Sequence, residues 1–144
     1  MAIRLPLLPR VLRWAVVAAL AGVVFYASIL AVPPETVVDP WQPTLVPLDK
    51  WRHFLAYAAI GYALAYAVAD WDLPGRRVAV FVIGVTVCYG IGIEIGQSTV
   101  PQRYFSLGDA YANALGGVLV VPYYLVRRHL QFVPVSELVA PLRD

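Results

Sequence analysis

Residues 76–103 read RRVAVFVIGVTVCYGIGIEIGQSTVPQR. Two arginines open the stretch, an uncharged apolar run fills it from Val78 to Ile93, and Pro101 closes it. Apolar and polar residues do not alternate, so the run does not read as a barrel strand. With Glu94 to Gln97 it reaches the roughly 20 residues that one membrane crossing needs. In lipid the backbone has no water to bond, so the run must be a helix. Glu94 and Gln97 sit near its far end, where ionisable groups are costly and usually functional.

Three more runs flank it. Trp14 to Pro34 is uncharged and ends at Pro33 and Pro34. It exceeds the about 7–15 apolar residues of a signal peptide, so it reads as a retained span in spite of the preceding Arg4, Arg10 and Arg13. Phe54 to Ala69 lies between His53 and Asp70, and Ala110 to Val126 is closed by Arg127 and Arg128. The expected fold is all-α, an integral membrane four-helix bundle with spans over about 12–32, 50–69, 77–98 and 109–126. Pro33, Pro34, Pro40, Pro43 and Pro47 make 33–48 an extended external loop. Pro134 and Pro141 argue against a long helix in the tail, 127–144.

Composition agrees. The 144 residues are 60% hydrophobic and 14% charged, with a mean hydropathy of +0.70. A soluble domain carries about 25% charge, so this chain lacks the polar surface of a soluble enzyme. Its aromatic content, 12%, excludes disorder. The net charge is +2, and the basic residues read as topology signals rather than as a nucleic-acid surface. Arg4, Arg10, Arg13, Arg76, Arg77, Arg127, Arg128 and Arg143 fall on one side of the four spans. Lys50, Arg52 and Arg103 fall on the other. Both termini are therefore expected in the cytoplasm of a multi-pass cell-membrane protein. Trp14, Trp41, Trp51 and Trp71 lie near span ends, where interfacial aromatics belong. The single cysteine, Cys88, allows no intrachain disulfide.

The polar residues left over gather at the outer ends of the spans. Asp49, His53 and Tyr57 share one helix face at i, i+4, i+8. Ser106 and Asp109 have capping-box spacing, and Asn113 stacks one turn beyond Asp109. His53 is the candidate for proton chemistry, with Asp49 placed to polarise it. Glu94 needs a proton or a cation, and Arg103, just past Pro101, could fold back onto it or hold a ligand's phosphate. Gln97, Asp109, Asn113 and Tyr57 complete a candidate ligand site. His53, Glu94, Arg103, Asp109 and Asn113 are expected to line one outward-opening cavity. Lys50 and Arg52 read as interfacial cations. No metal-type spacing such as H-x-x-x-H is present, so no metal is assigned. Gly92-x-x-x-Gly96, Gly116 and Gly117 read as close-packing positions.

Asp49-Lys50-x-x-His53-Phe54-x-x-Tyr57 resembles the first motif of VanZ-like membrane proteins. Glu94-x-x-Gln97, Arg103 and Asp109-x-x-x-Asn113-x-x-Gly116 resemble the second. The resemblance spans about 48–117 and implies a single membrane domain over 1–144 in a cell-envelope setting. The family's namesake is associated with resistance to the glycopeptide teicoplanin, and no reaction or cofactor follows from the likeness. Two functions fit. One is the binding or processing of an anionic, lipid-linked or glycopeptide-type envelope ligand, with His53, Glu94 and Asp49 moving protons. The other is a non-catalytic membrane scaffold or binding protein in which the polar cluster ties helices together.

Overall fold

In the computed structural model, residues 3–31, 47–101 and 103–139 are described. The loop expected over 33–48 lies almost wholly outside them, as does the far end of the tail. The first helix, α1, covers Arg10–Phe25 and continues as a wider π turn, Tyr26–Leu30. Next come α2 (Leu48–Ala67), α3 (Gly75–Gln97), α4 (Leu107–Val118) and α5 (Val121–Val126). Pro9, Pro47 and Pro74 immediately precede α1, α2 and α3. Proline costs nothing there, because the first helical N–H groups have no partner in any case. The chain is mostly helical, and Arg10–Leu30 and Gly75–Gln97 are long and apolar enough to cross a membrane. α2 is nearly as long, but Asp49, Lys50, Arg52 and His53 crowd its first two turns.

The single span expected over 109–126 is two helices. The break at Leu119 and Val120 has a local cause in Pro122, which has no N–H to give and whose ring crowds the carbonyl of Val118. The Tyr62 hydroxyl donates to the Leu119 carbonyl at 3.0 Å, which satisfies one group exposed by the break. Leu64, Ala65, Val68, Val78, Val82 and Val120 form the core. α2 packs closely on α4, because Gly116 lies against the Phe54 and Ala58 backbone. The expected Gly92-x-x-x-Gly96 contact does not form as a pair. Gly92 faces open space, and only Gly96 meets a neighbour, Ile29.

Two strands lie outside the sequence reading. β1 (Ile3–Leu7) pairs in parallel with β2 (Leu130–Pro134), from Ile3 opposite Leu130 to Leu7 opposite Pro134. β1 contains Pro6 and β2 contains Pro134, which a two-stranded sheet tolerates because both strands are edges, where a missing N–H can face outward. β2 leads into a short helix, α6 (Val135–Val139).

Arg13, read from sequence only as a topology marker, is buried. Its guanidinium forks onto Asp70 at 3.0 and 2.7 Å and donates to the Ala67 carbonyl at 2.8 Å, closing the end of α2. The Arg13 hydrogen bond holds the Asp70 carboxyl below the usual carboxylate range. A depressed carboxylate stabilises the fold above its unfolded pKa, near 3.9, and loses that contribution as pH falls through the folded value. Asp70→Asn should therefore lower the thermal midpoint at neutral pH and flatten the loss of stability below about pH 4. The Asp70 side chain is 40% exposed, so solvent screening limits the effect to about 1–2 kcal/mol. An unchanged acid limb in the variant would mean that the pair is not formed.

Candidate functional site

The end of α3, the start of α4 and the first turns of α2 meet around Glu94. Ser106 caps α4, its hydroxyl accepting from the Asp109 N–H at 3.2 Å. The other half of the capping box is met differently from the sequence expectation. The Ser106 backbone N–H donates to Glu94 Oε2 at 3.2 Å, not to Asp109. Glu94 thus sits at the positive end of α4, which helps a carboxylate survive at 0% exposure. Its other oxygen, Oε1, accepts from Asn113 Nδ2 at 3.3 Å.

That bond orients the Asn113 amide, so its Oδ1 faces His53 Nδ1 at 2.9 Å. An amide oxygen only accepts, so with the amide in this orientation the Nδ1–H tautomer completes the bond. Nε2 is then the nitrogen left for chemistry. It lies 3.7 Å from Asp109 Oδ1, and the His53 side chain is 19% exposed. Asp109 in turn holds Lys50 Nζ at 2.6 Å, and Lys50 reaches Asp49 at 2.8 Å. The result is a continuous polar chain from buried Glu94 through Asn113 and His53 to a surface cluster of Asp109, Lys50 and Asp49.

Four of the sequence candidates therefore come together, namely His53, Glu94, Asp109 and Asn113. Asp49 stands at the edge, bonded to Lys50 rather than to His53. Tyr57 is buried behind the cluster, beside Asn113 across the gap that Gly90 leaves. Its hydroxyl has no hydrogen-bond partner among the described residues. Gln97 and Arg103 point elsewhere. Gln97 Nε2 donates to the Ser28 carbonyl, and Arg103 Nη2 donates to the Ala27 and Ala31 carbonyls at 3.1 and 2.8 Å. Carbonyls at a helix C-terminus lack intrahelical partners and attract cations, so the π turn draws Arg103 away. The expected Glu94–Arg103 ion pair does not form. Lys50, the chain's single lysine, is a site residue that its place at a helix start does not single out: it bridges Asp49 and Asp109.

Ligand-type atoms of His53, Glu94 and Asp109 lie within 4.8 Å of one another. They come from three remote segments, so no local spacing could announce them. Lys50 Nζ already occupies the cation's place on Asp109, and Glu94 is engaged by Ser106 and Asn113. A metal ion would have to displace these donors first. One ammonium against three carboxylates also leaves the cluster net negative while His53 is neutral.

The family model described as VanZ/LLP1 matches residues 10–128, and the chain belongs to that family. The match takes in α1, which lies outside the motif-bearing stretch. No curated protein and no solved structure matches the chain.

Proposed function

We propose that this member of the VanZ/LLP1 family is a four-span protein of the cell membrane that binds an envelope ligand at its outer face, with His53 as the proton-exchanging group. The observation that carries this reading is the 2.9 Å contact of His53 Nδ1 with Asn113 Oδ1, which leaves Nε2 beside Asp109 near the surface. A histidine locked on one nitrogen and open on the other is arranged as a general acid or base. Glu94 and Asn113 position it without touching the ligand. The net negative cluster favours a hydroxyl, amide or amino group over the phosphate that Arg103 would have suited had it faced the cluster. A lipid-linked saccharide or a glycopeptide presents such groups.

The pairing of β1 with β2 keeps both terminal segments at one end, as an even number of crossings requires. With the arginine asymmetry, this supports cytoplasmic termini. In intact cells a Thr44→Cys variant should label readily with a membrane-impermeant thiol reagent, and Arg76→Cys should be protected. The reverse pattern would move the His53 site to the cytoplasm.

The ligand reading is tested by mass spectrometry of the full chain purified from its own membranes in mild detergent. Wild type should carry a co-purifying envelope molecule. His53→Gln should lose most of it and unfold at the midpoint of ligand-stripped wild type. A complete internal network around Glu94 also suits a purely structural role, and that role predicts the opposite: a lowered midpoint in His53→Gln and no bound molecule in wild type.

A further inference from the structure

A second feature lies at the end of the bundle away from His53, and it does not depend on the reading of that site. Between α2, the turn into α3, α5 and β2 is a cavity of about 400 Å³, within the range of small-ligand sites. Buried Val68 and Val78 give it an apolar side, while Trp71, Tyr124, Arg127 and Arg128 supply polar groups. Arg127 is held in place, since its Nη2 donates to the Ala69 carbonyl and its guanidinium lies 4.9 Å over the Phe132 ring. Arg128 is exposed and bonds through Nε to His129. Among the described residues no carboxylate pairs with either arginine. The Tyr124 hydroxyl is buried without a hydrogen-bond partner among them.

We infer that this cavity binds the phosphate of an anionic phospholipid headgroup. The arginine forks take the phosphate oxygens, and Tyr124 donates to the ester. The valine side receives the glycerol and first methylenes. Arginine matches phosphate geometry better than lysine does, and this end of the chain carries arginines and no lysine. Two guanidiniums left without carboxylates beside an apolar wall are the arrangement by which membrane proteins select anionic lipids. Trp71 fits the interfacial depth that a headgroup site requires.

The test uses the full chain in detergent, with native mass spectrometry to count retained lipid. Phosphatidylglycerol should be retained about tenfold better than phosphatidylcholine, the scale of one charge-assisted contact. Arg128→Gln should reduce that preference, and Tyr124→Phe should weaken retention of both lipids, because they share the ester. Arg76→Gln removes the same charge from an exposed arginine outside the cavity and should leave the preference intact. Equal losses in Arg128→Gln and Arg76→Gln would reduce the effect to general attraction by a basic face and overturn the site. Thermal unfolding with inorganic phosphate distinguishes the source. Protection by the lipid alone assigns a phospholipid. Equal protection by phosphate overturns the lipid assignment in favour of a soluble phosphate. No protection by either overturns the phosphate site itself.

Discussion

Asn113→Leu is expected to be among the most damaging side-chain changes in this protein. Leucine keeps the branched shape of asparagine but is bulkier, so part of the harm is overpacking. The amide, however, joins two groups at once, donating to Glu94 Oε1 and accepting from His53 Nδ1. Asn113 is 1% exposed and Glu94 is not exposed at all, so water cannot replace what leucine removes. Glu94 would keep only the Ser106 N–H as a close donor. Leaving a buried charge so poorly compensated costs about 3–5 kcal/mol, an upper bound because the carboxyl can take up a proton instead. Adding Glu94→Gln removes the charge, so the double variant should be more stable than Asn113→Leu alone. Thermal unfolding in detergent measures both effects. An Asn113→Leu variant as stable as wild type would mean that Glu94 draws its support from elsewhere.

The second large effect is expected from Gly116→Ala, a change of one methyl group. A Cβ at this position would collide with the Phe54 carbonyl oxygen and lie 3.0 Å from the Ala58 nitrogen. Both are backbone atoms of α2, so no rotamer change relieves the contact, and α2 and α4 must separate. Overpacking usually costs about 1–3 kcal/mol, and a backbone obstacle belongs at the top of that range. The same separation would pull His53 on α2 away from Asn113 on α4, so ligand retention should fall along with stability. Gly92→Ala is the control. Its added Cβ meets nothing within 4 Å, and alanine favours a helix over glycine by about 1 kcal/mol. It should be neutral or slightly stabilising. Equal behaviour of the two variants would contradict the close approach of α2 and α4.

The helices were legible because long uncharged runs have few alternatives, and the observed bounds of α2 and α3 lie within two residues of those expected. The break before Pro122 was equally readable, since the proline is in plain view, but hydropathy averaged over the run conceals it. The β1–β2 pair was not readable. Its strands lie at opposite ends of the chain, and each contains a proline that local rules count against strands. In the candidate site, the spacing of Asp109 and Asn113 put both on one face of α4, and motif order brought His53 and Glu94 near them. Partner choice was beyond the sequence. Arg103 could reach either the carboxylate of Glu94 or the carbonyls at the end of α1, and only the position of the π turn decides for the carbonyls. Arg13 shows the same ambiguity. A basic residue before an apolar run marks topology by rule, yet here it is buried and bonded to Asp70.

Asn113 holds His53 through Nδ1, which leaves Nε2 open beside Asp109. Long-range proton–nitrogen correlation NMR on histidine-labelled protein reads the tautomer directly, with His53→Gln assigning the signals. At a pH where imidazole is neutral, the His53 pattern should be that of the Nδ1–H tautomer, and Asn113→Leu should abolish that preference. An Nε2–H tautomer in the wild-type protein would contradict the account.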